Sequence, residues 1–253
     1  MRFITMPRRL GDGMYKTFAP LVTLCAGVWL VAASFSAAAA EQAVFGDRRY
    51  EWGRMLPEQL EIFRLTGDLE RGKEAFHGCR GCHKSDASGL VDGTYPRLSG
   101  QHASVVIKQV TEVRAGIRVS PKMGPFSSHR AISTQDIADI AVFLESVQST
   151  SDNGKGPATM LELGKSLYDK GQCASCHGDS GEGKATHAYP VVASQHFGYL
   201  VREMQLIQKG QRGNSHPKMV KAIAAYSAQD IEALADYMSR MPDYRLTVQA
   251  QRR

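Results

Sequence analysis

Cysteine is scarce in this chain: five in 253 residues, of which Cys25 lies in an apolar run near the N-terminus and four sit in two short clusters. No thiol is left over for a structural disulfide, so a disulfide-stapled scaffold is excluded. Sustained two-residue alternation of apolar and polar side chains is also missing, which leaves little or no sheet. A large excess of charge is missing too. The formal charge is +6, but the first 40 residues hold four basic residues and one acidic residue, so residues 41–253 carry +3.

Those first 40 residues stand apart from the rest. Arg2, Arg8, Arg9 and Lys16 precede an uncharged stretch from Thr17 to Ala40 that ends in Ala38-Ala39-Ala40. This pattern is that of a secretory signal peptide with a small-residue cleavage region, so residues 41–253 are expected in the periplasm. The alternative is an uncleaved membrane anchor, because the uncharged run is long enough to span.

The four remaining cysteines spell one pentapeptide twice, Cys79-Arg80-Gly81-Cys82-His83 and Cys173-Ala174-Ser175-Cys176-His177. Two thiols separated by two residues each form a thioether with a vinyl group of one haem, and the adjoining His is placed to ligate its iron. C-x-x-C pairs also bind zinc or act as redox dithiols. The immediate His, the export signal, the duplication and the lack of thioredoxin-like strands favour two covalent haem c groups. Their propionates bring the holoprotein near neutrality, so a sequence pI of about 9.1 is no argument for nucleic acid.

Aligning the pentapeptides at an offset of 94 brings further pairs into line: Tyr95-Pro96 with Tyr189-Pro190, Gln101-His102 with Gln195-His196, and Ser133-x-Gln135-Asp136-Ile137 with Ser227-x-Gln229-Asp230-Ile231. The chain therefore divides into a signal peptide (1–40), an N-terminal extension (41–67), a first repeat (68–148), a segment of linker composition (149–157), a second repeat (158–245) and a tail (246–253). Within each repeat the periodicity is helical. Leu69–His77 and Leu161–Lys170 lead into the pentapeptides, with Gly72/Phe76 and Gly164/Tyr168 sharing a helix face. Middle helices run from Gln101 to Gly116 and from Gln195 to Gly210, and the last helices open on Ser133 and Ser227 as N-caps.

The proximal iron ligands are His83 and His177, whose second ring nitrogen needs an acceptor; the carbonyls of Pro96 and Pro190, each 13 residues on, are the candidates. A sixth ligand decides between electron transfer and open-site chemistry. Met123 and Met219 both occur as Pro-Lys-Met, 40 and 42 residues after their histidines, and this repeated context singles them out for thioether ligation. Met160, Met204, Met238 and Met241 have no counterpart and are packing residues. His129 and His216 do not correspond and are expected on loops or the surface.

On the two pentapeptides, the Tyr95-Pro96-Arg97-Leu98-Ser99-Gly100-Gln101 stretch and the two Pro-Lys-Met loops, the chain resembles the dihaem class I cytochromes c of the cytochrome c4 type over residues 68–243. The resemblance implies an all-α fold of two tandem cytochrome c domains, each a small helical bundle around one covalent haem, packed with the haem propionate edges close together. It also implies single-electron transfer in a periplasmic respiratory chain, with a bc complex, a dehydrogenase or a terminal oxidase as partner. The alternative is an electron-accepting subunit of a periplasmic or membrane dehydrogenase complex; a dihaem enzyme would need an open iron. Lys84, where such domains often have Gly, departs from the pattern, as does Val191-Val192-Ala193-Ser194 in the second repeat. So does the extension, with Tyr50, Trp52, Met55, Leu56, Leu60, Ile62 and Phe63. It is read either as a cover over one haem domain or as a docking element, with a short helix from Pro57.

Overall fold

The computed structural model describes residues 42–44, 55–149 and 152–243. The signal segment, Tyr50 and Trp52 of the extension, and the tail 246–253 lie outside the described residues.

Among the described residues, five helices build each repeat. In the first, α2 (Leu69–Ala75) opens on Asp68, whose side chain accepts the Arg71 amide, and runs through a 3-10 turn (Phe76–Cys79) into the short α3 (Arg80–His83). The middle helix α4 (Ala103–Arg114) stops at Gly116, where φ is 72°. A single turn, α5 (Gly124–Ser127), follows Met123. The last helix, α6 (Thr134–Ser146), starts from a capping box in which Ser133 and Asp136 satisfy each other's backbone amides.

The second repeat runs the same course. Its helices are α7 (Leu161–Lys170), α8 (Ala174–His177), α9 (Phe197–Gln208), α10 (Pro217–Ile223) and α11 (Ala228–Arg240), the last boxed by Ser227 and Asp230. Gly210, at φ 69°, closes its middle helix.

The first and last helices of each repeat cross where Gly leaves no room for a side chain. A Cβ on Gly72 would lie 2.1 Å from the Asp139 carbonyl oxygen, and one on Gly164 would lie 2.1 Å from that of Ala233. Beside each crossing the rings predicted from the i,i+4 spacing pack on the opposite helix, Phe76 on Phe143 at 5.7 Å and Tyr168 on Tyr237 at 5.6 Å. Two separate cores result. Ile107, Ile137, Ile140 and Leu144 surround Phe76 in one, and Leu200, Met204, Ile231 and Met238 surround Tyr168 in the other. Met204, Met238 and Met241 are buried there as packing residues.

Among the described residues the sheet content is one short ribbon, β1 (Gln42–Val44) antiparallel to β2 (Thr66–Asp68), with β2 against α6. Between its strands the extension forms α1 (Pro57–Ile62), with Pro57 in its first turn as expected. Ile62 is fully buried in the first core, worth roughly 2 kcal/mol, and the buried Gln59 donates to Thr111 Oγ1 at 3.0 Å. Met55 and Phe63 pack on Val105 of the first repeat and Ala188 of the second. The described part of the extension is thus packed over the first repeat and reaches a cluster that includes Ala188 of the second.

The segment of linker composition is not a loose tether. Asn153 donates to the Ser239 carbonyl at 2.6 Å and to the Gln195 carbonyl at 3.3 Å, and Gly154 lies against the Val91 carbonyl. Small residues here serve close backbone approach rather than freedom of movement. All described residues fall within one compact unit.

Candidate metal centres

Each pentapeptide bends the chain at the end of the first helix so that its His turns back toward the loop that follows. His83 Nδ1 donates to the Pro96 carbonyl at 3.0 Å, and His177 Nδ1 donates to the Pro190 carbonyl at 3.1 Å. With the proton held on Nδ1, the lone pair resides on Nε2 and is available to a metal. Burial holds both imidazoles below their usual range, opposed in part by the carbonyl bond, so the ring is neutral as a ligand must be.

The thiols Cys79, Cys82, Cys173 and Cys176 are free and partly buried. Cys79 packs against the first core and Cys173 against the second. Burial, reinforced by Cys82, pushes the Cys79 thiol up to about 11, so it is protonated and a poor nucleophile once the fold has closed. Among the described residues no cluster of three or more His, Cys, Asp or Glu is assembled that would hold a bare metal ion. Two unpaired thiols, one neutral imidazole with a free Nε2 and apolar surroundings fit a covalently attached haem and not a zinc centre.

Met123 caps α5, and Met219 lies in the first turn of α10 against the second core; both are partly buried. Their loops are anchored alike by side chains of different chemistry. Arg114 donates to the carbonyls of Ser127 (2.6 Å) and Ile132 (2.7 Å), while Gln208 donates to those of Ile223 (3.0 Å) and Tyr226 (2.7 Å). Arg114 also pairs with Glu58 of the extension, linking the extension to this loop. His129 is exposed and contacts Arg114, and the exposed His216 accepts the Lys218 amide as the cap of α10. Both histidines are therefore surface groups.

Between the repeats lies a set of contacts with approximate two-fold symmetry. Gln101 brackets one residue of the other repeat, accepting from the Val191 amide at 3.0 Å and donating to the Val191 carbonyl at 3.1 Å. Gln195 does the same to Arg97, at 2.9 Å in both directions. The neighbouring histidines repeat the exchange: His102 Nε2 donates to the Glu182 carbonyl at 2.8 Å, and His196 Nε2 to the Ser88 carbonyl at 2.7 Å. Every partner pair obeys the offset of 94. This is an isologous interface made by two halves of one chain. The buried Arg97 reinforces it, donating to the Ser194 carbonyl at 2.8 Å and to Asp243 at 3.1 Å. Sequence reasoning aligned the two Gln-His pairs but gave them no role, although their shared context is the same kind of signal that singled out the two methionines.

The sequence profile of the cytochrome c family matches residues 69–148 and again 161–242. The chain belongs to the cytochrome c family. Its dihaem build is that of the cytochrome c4 group. It is 29% identical over 196 residues to cytochrome c4 of Azotobacter vinelandii, covering 70% of this chain and 90% of that one. It is also 29% identical over 173 residues to a thiosulfate dehydrogenase electron acceptor of Stutzerimonas stutzeri, covering 64% and 78%. The solved structure of cytochrome c4 from Pseudomonas stutzeri superimposes with a TM-score of 0.63 at 26% identity, over 70% of this chain and all of that one. Two cytochrome c domains, each with its own thiol pair, carry two covalent haem c groups, and the protein is a dihaem electron-transfer cytochrome of tandem helical domains.

Proposed function

We propose that each haem iron is held between His83 and Met123 in the first repeat and between His177 and Met219 in the second, with Pro96 and Pro190 fixing the histidine tautomers. The carrying observation is the pair of Nδ1-to-carbonyl bonds at 3.0 and 3.1 Å, which leaves one nitrogen free in each repeat. The matched anchoring of the two methionine loops supports the second ligand. Such a pair closes the iron to substrate, so the chain is a carrier with no catalytic site of its own. Bound between those ligands the haem supplies a one-electron couple, and the chain's contribution is to hold ligand geometry fixed through the change of charge.

The carrier works in the periplasm, delivered there by residues 1–40, and passes electrons from a bc complex or a dehydrogenase to a terminal oxidase. Among the described residues no helix is long and apolar enough to cross a membrane. A second reading, an electron-accepting subunit docked to a dehydrogenase, draws on the likeness to the thiosulfate dehydrogenase electron acceptor. Purification at native abundance separates the two. A free shuttle elutes alone with a low-spin ferric spectrum and a Met-to-iron charge-transfer band from both haems. Stable co-elution with a dehydrogenase establishes the subunit, and a high-spin haem overturns the closed-iron assignment.

A further inference from the structure

Each of the two interface glutamines ends on a peptide unit that also serves the other repeat's proximal histidine. The Pro96–Arg97 peptide accepts from His83 Nδ1 through its carbonyl, while its amide donates to Gln195 Oε1 at 2.9 Å. The Pro190–Val191 peptide likewise accepts from His177 Nδ1, and its amide donates to Gln101 Oε1 at 3.0 Å. The interface histidines reach the other end of the same residues. His196 Nε2 donates to the carbonyl of the Ser88–Gly89 peptide, whose amide donates to the His83 carbonyl at 3.0 Å. His102 Nε2 donates to the Glu182–Gly183 peptide, whose amide donates to the His177 carbonyl at 2.7 Å.

Hydrogen bonds at the two ends of one peptide polarise each other, strengthening a chain by roughly 10–30% per bond. An acceptor on the Arg97 amide makes the Pro96 oxygen more negative, which draws the His83 Nδ1 proton and makes Nε2 a stronger donor to iron. Stronger donation stabilises the ferric state.

We infer that Gln195 and Gln101 are positioning residues acting across the repeat boundary, each setting the reduction potential of the haem in the repeat to which it does not belong. The inference rests on His83 and His177 being the proximal ligands. The hydrogen bonds of both glutamines across the boundary end on peptide groups and not on the histidine. The influence passes through one peptide unit, so it is directional: Gln195 acts on the first repeat and Gln101 on the second. Any change that loosens the interface therefore alters both haems by way of their ligand bonds, besides altering the distance an electron must travel.

The test uses the mature holoprotein and the substitutions Gln195→Met and Gln101→Met, which keep side-chain length but remove the acceptor. Redox titration followed through the hyperfine-shifted haem methyl resonances of each repeat reads the two potentials separately. Gln195→Met is expected to raise the potential of the Cys79/Cys82 haem more than that of the Cys173/Cys176 haem, and Gln101→Met to do the reverse. Gln195→Glu keeps an acceptor opposite the Arg97 amide and is expected to return the first haem to or below its original potential. Equal shifts on both haems in each variant, or unchanged potentials with a lowered melting temperature, overturn the inference and leave the glutamines purely structural. Should Gln195→Met fail to fold, Gln101→Met carries the same directional test. Ring nitrogen resonances of 15N-labelled His83 and His177 in the unsubstituted protein read ligation independently. Their lacking a haem shift topples the ligand assignment, whereas normal shifts with non-directional potentials topple only the cross-boundary effect.

Discussion

The Gly154 amide donates to His196 Nδ1 at 3.0 Å, while His196 Nε2 donates to the Ser88 carbonyl at 2.7 Å. One fully buried ring thus joins the connecting segment to the first repeat from a position in the second. The arrangement requires a neutral imidazole with its proton on Nε2, since a protonated ring has no lone pair for Gly154.

Acid should weaken this junction. Burial is the largest effect holding His196 below its usual range, with Arg97 and Lys84 pushing the same way and the Ser88 bond and Asp92 opposing. The unfolded chain then binds the proton more readily than the folded one as pH falls below about 6.5. Stability contributed by His196 is complete above that pH and declines beneath it, by up to about 1.4 kcal/mol per pH unit from this one group. Urea unfolding of the holoprotein between pH 7.5 and 5 should show the decline, and His196→Gln should flatten the part due to this ring. An identical pH profile in the variant would remove His196 from the account.

The Gly72 and Gly164 crossings predict a sharp contrast among glycines. Gly72→Ala or Gly164→Ala places a methyl group 2.1 Å from a backbone carbonyl that has no rotamer to escape into. Overpacking of this kind costs about 1–3 kcal/mol or more. Gly81→Ala, in α3 with nothing within 4 Å of the new Cβ, should be neutral or slightly stabilising. Melting temperatures of the three holoproteins give the comparison, and equal values would show that the crossing relaxes without cost.

Asp236 is fully buried and accepts from the Ala158 amide at 2.7 Å and Arg240 Nε at 2.9 Å. Asp139 has the corresponding task in the first repeat, accepting from the Asp68 amide and from Arg71. Each carboxylate ties the start of its repeat's first helix to the last helix. Asp236→Ala leaves the Ala158 amide without its acceptor and should cost roughly 1–3 kcal/mol. Arg240 is partly exposed and recovers water, so the loss falls mainly on the amide. Hydrogen exchange at Ala158 should accelerate in the variant while that at Asp68 stays protected; uniform acceleration would indicate global unfolding instead.

The helices were legible because their signals are local. Ser133 and Ser227 cap as their spacing to Asp136 and Asp230 implies, Gly116 and Gly210 stop the middle helices, and the Gly/aromatic spacing marks both crossings. The prolines opposite His83 and His177 were also readable, since the 13-residue interval recurs. The interface was not, because Gln101 and Val191 are 90 residues apart and nothing local indicates which carbonyl a glutamine will meet. Nor does composition distinguish a tether from a strap, so the packing of Asn153 and Gly154 required the tertiary contacts. The Asp139 and Asp236 pair escaped the alignment for a geometric reason. They are 97 residues apart rather than 94, one helical turn out of step, so equivalent roles fall on residues that do not align.

The methionine loops carry the most consequential prediction, because their anchors differ while their target carbonyls correspond. Met219→Ala should leave both thioethers of the second repeat intact, open one iron to carbon monoxide and lower that haem's potential. Met123→Ala should do the same in the first repeat, with the other haem keeping its charge-transfer band in each case. The two loops should differ in tolerance. Arg114 holds the first through two carbonyls and a pair with Glu58, so Met123→Ala should leave the loop in place, whereas Gln208 holds the second with a neutral amide. Carbon monoxide binding and potential of each variant are the measurements. If both stay unchanged in a variant with its haem still attached, that methionine is not the ligand and the sixth position belongs to another group.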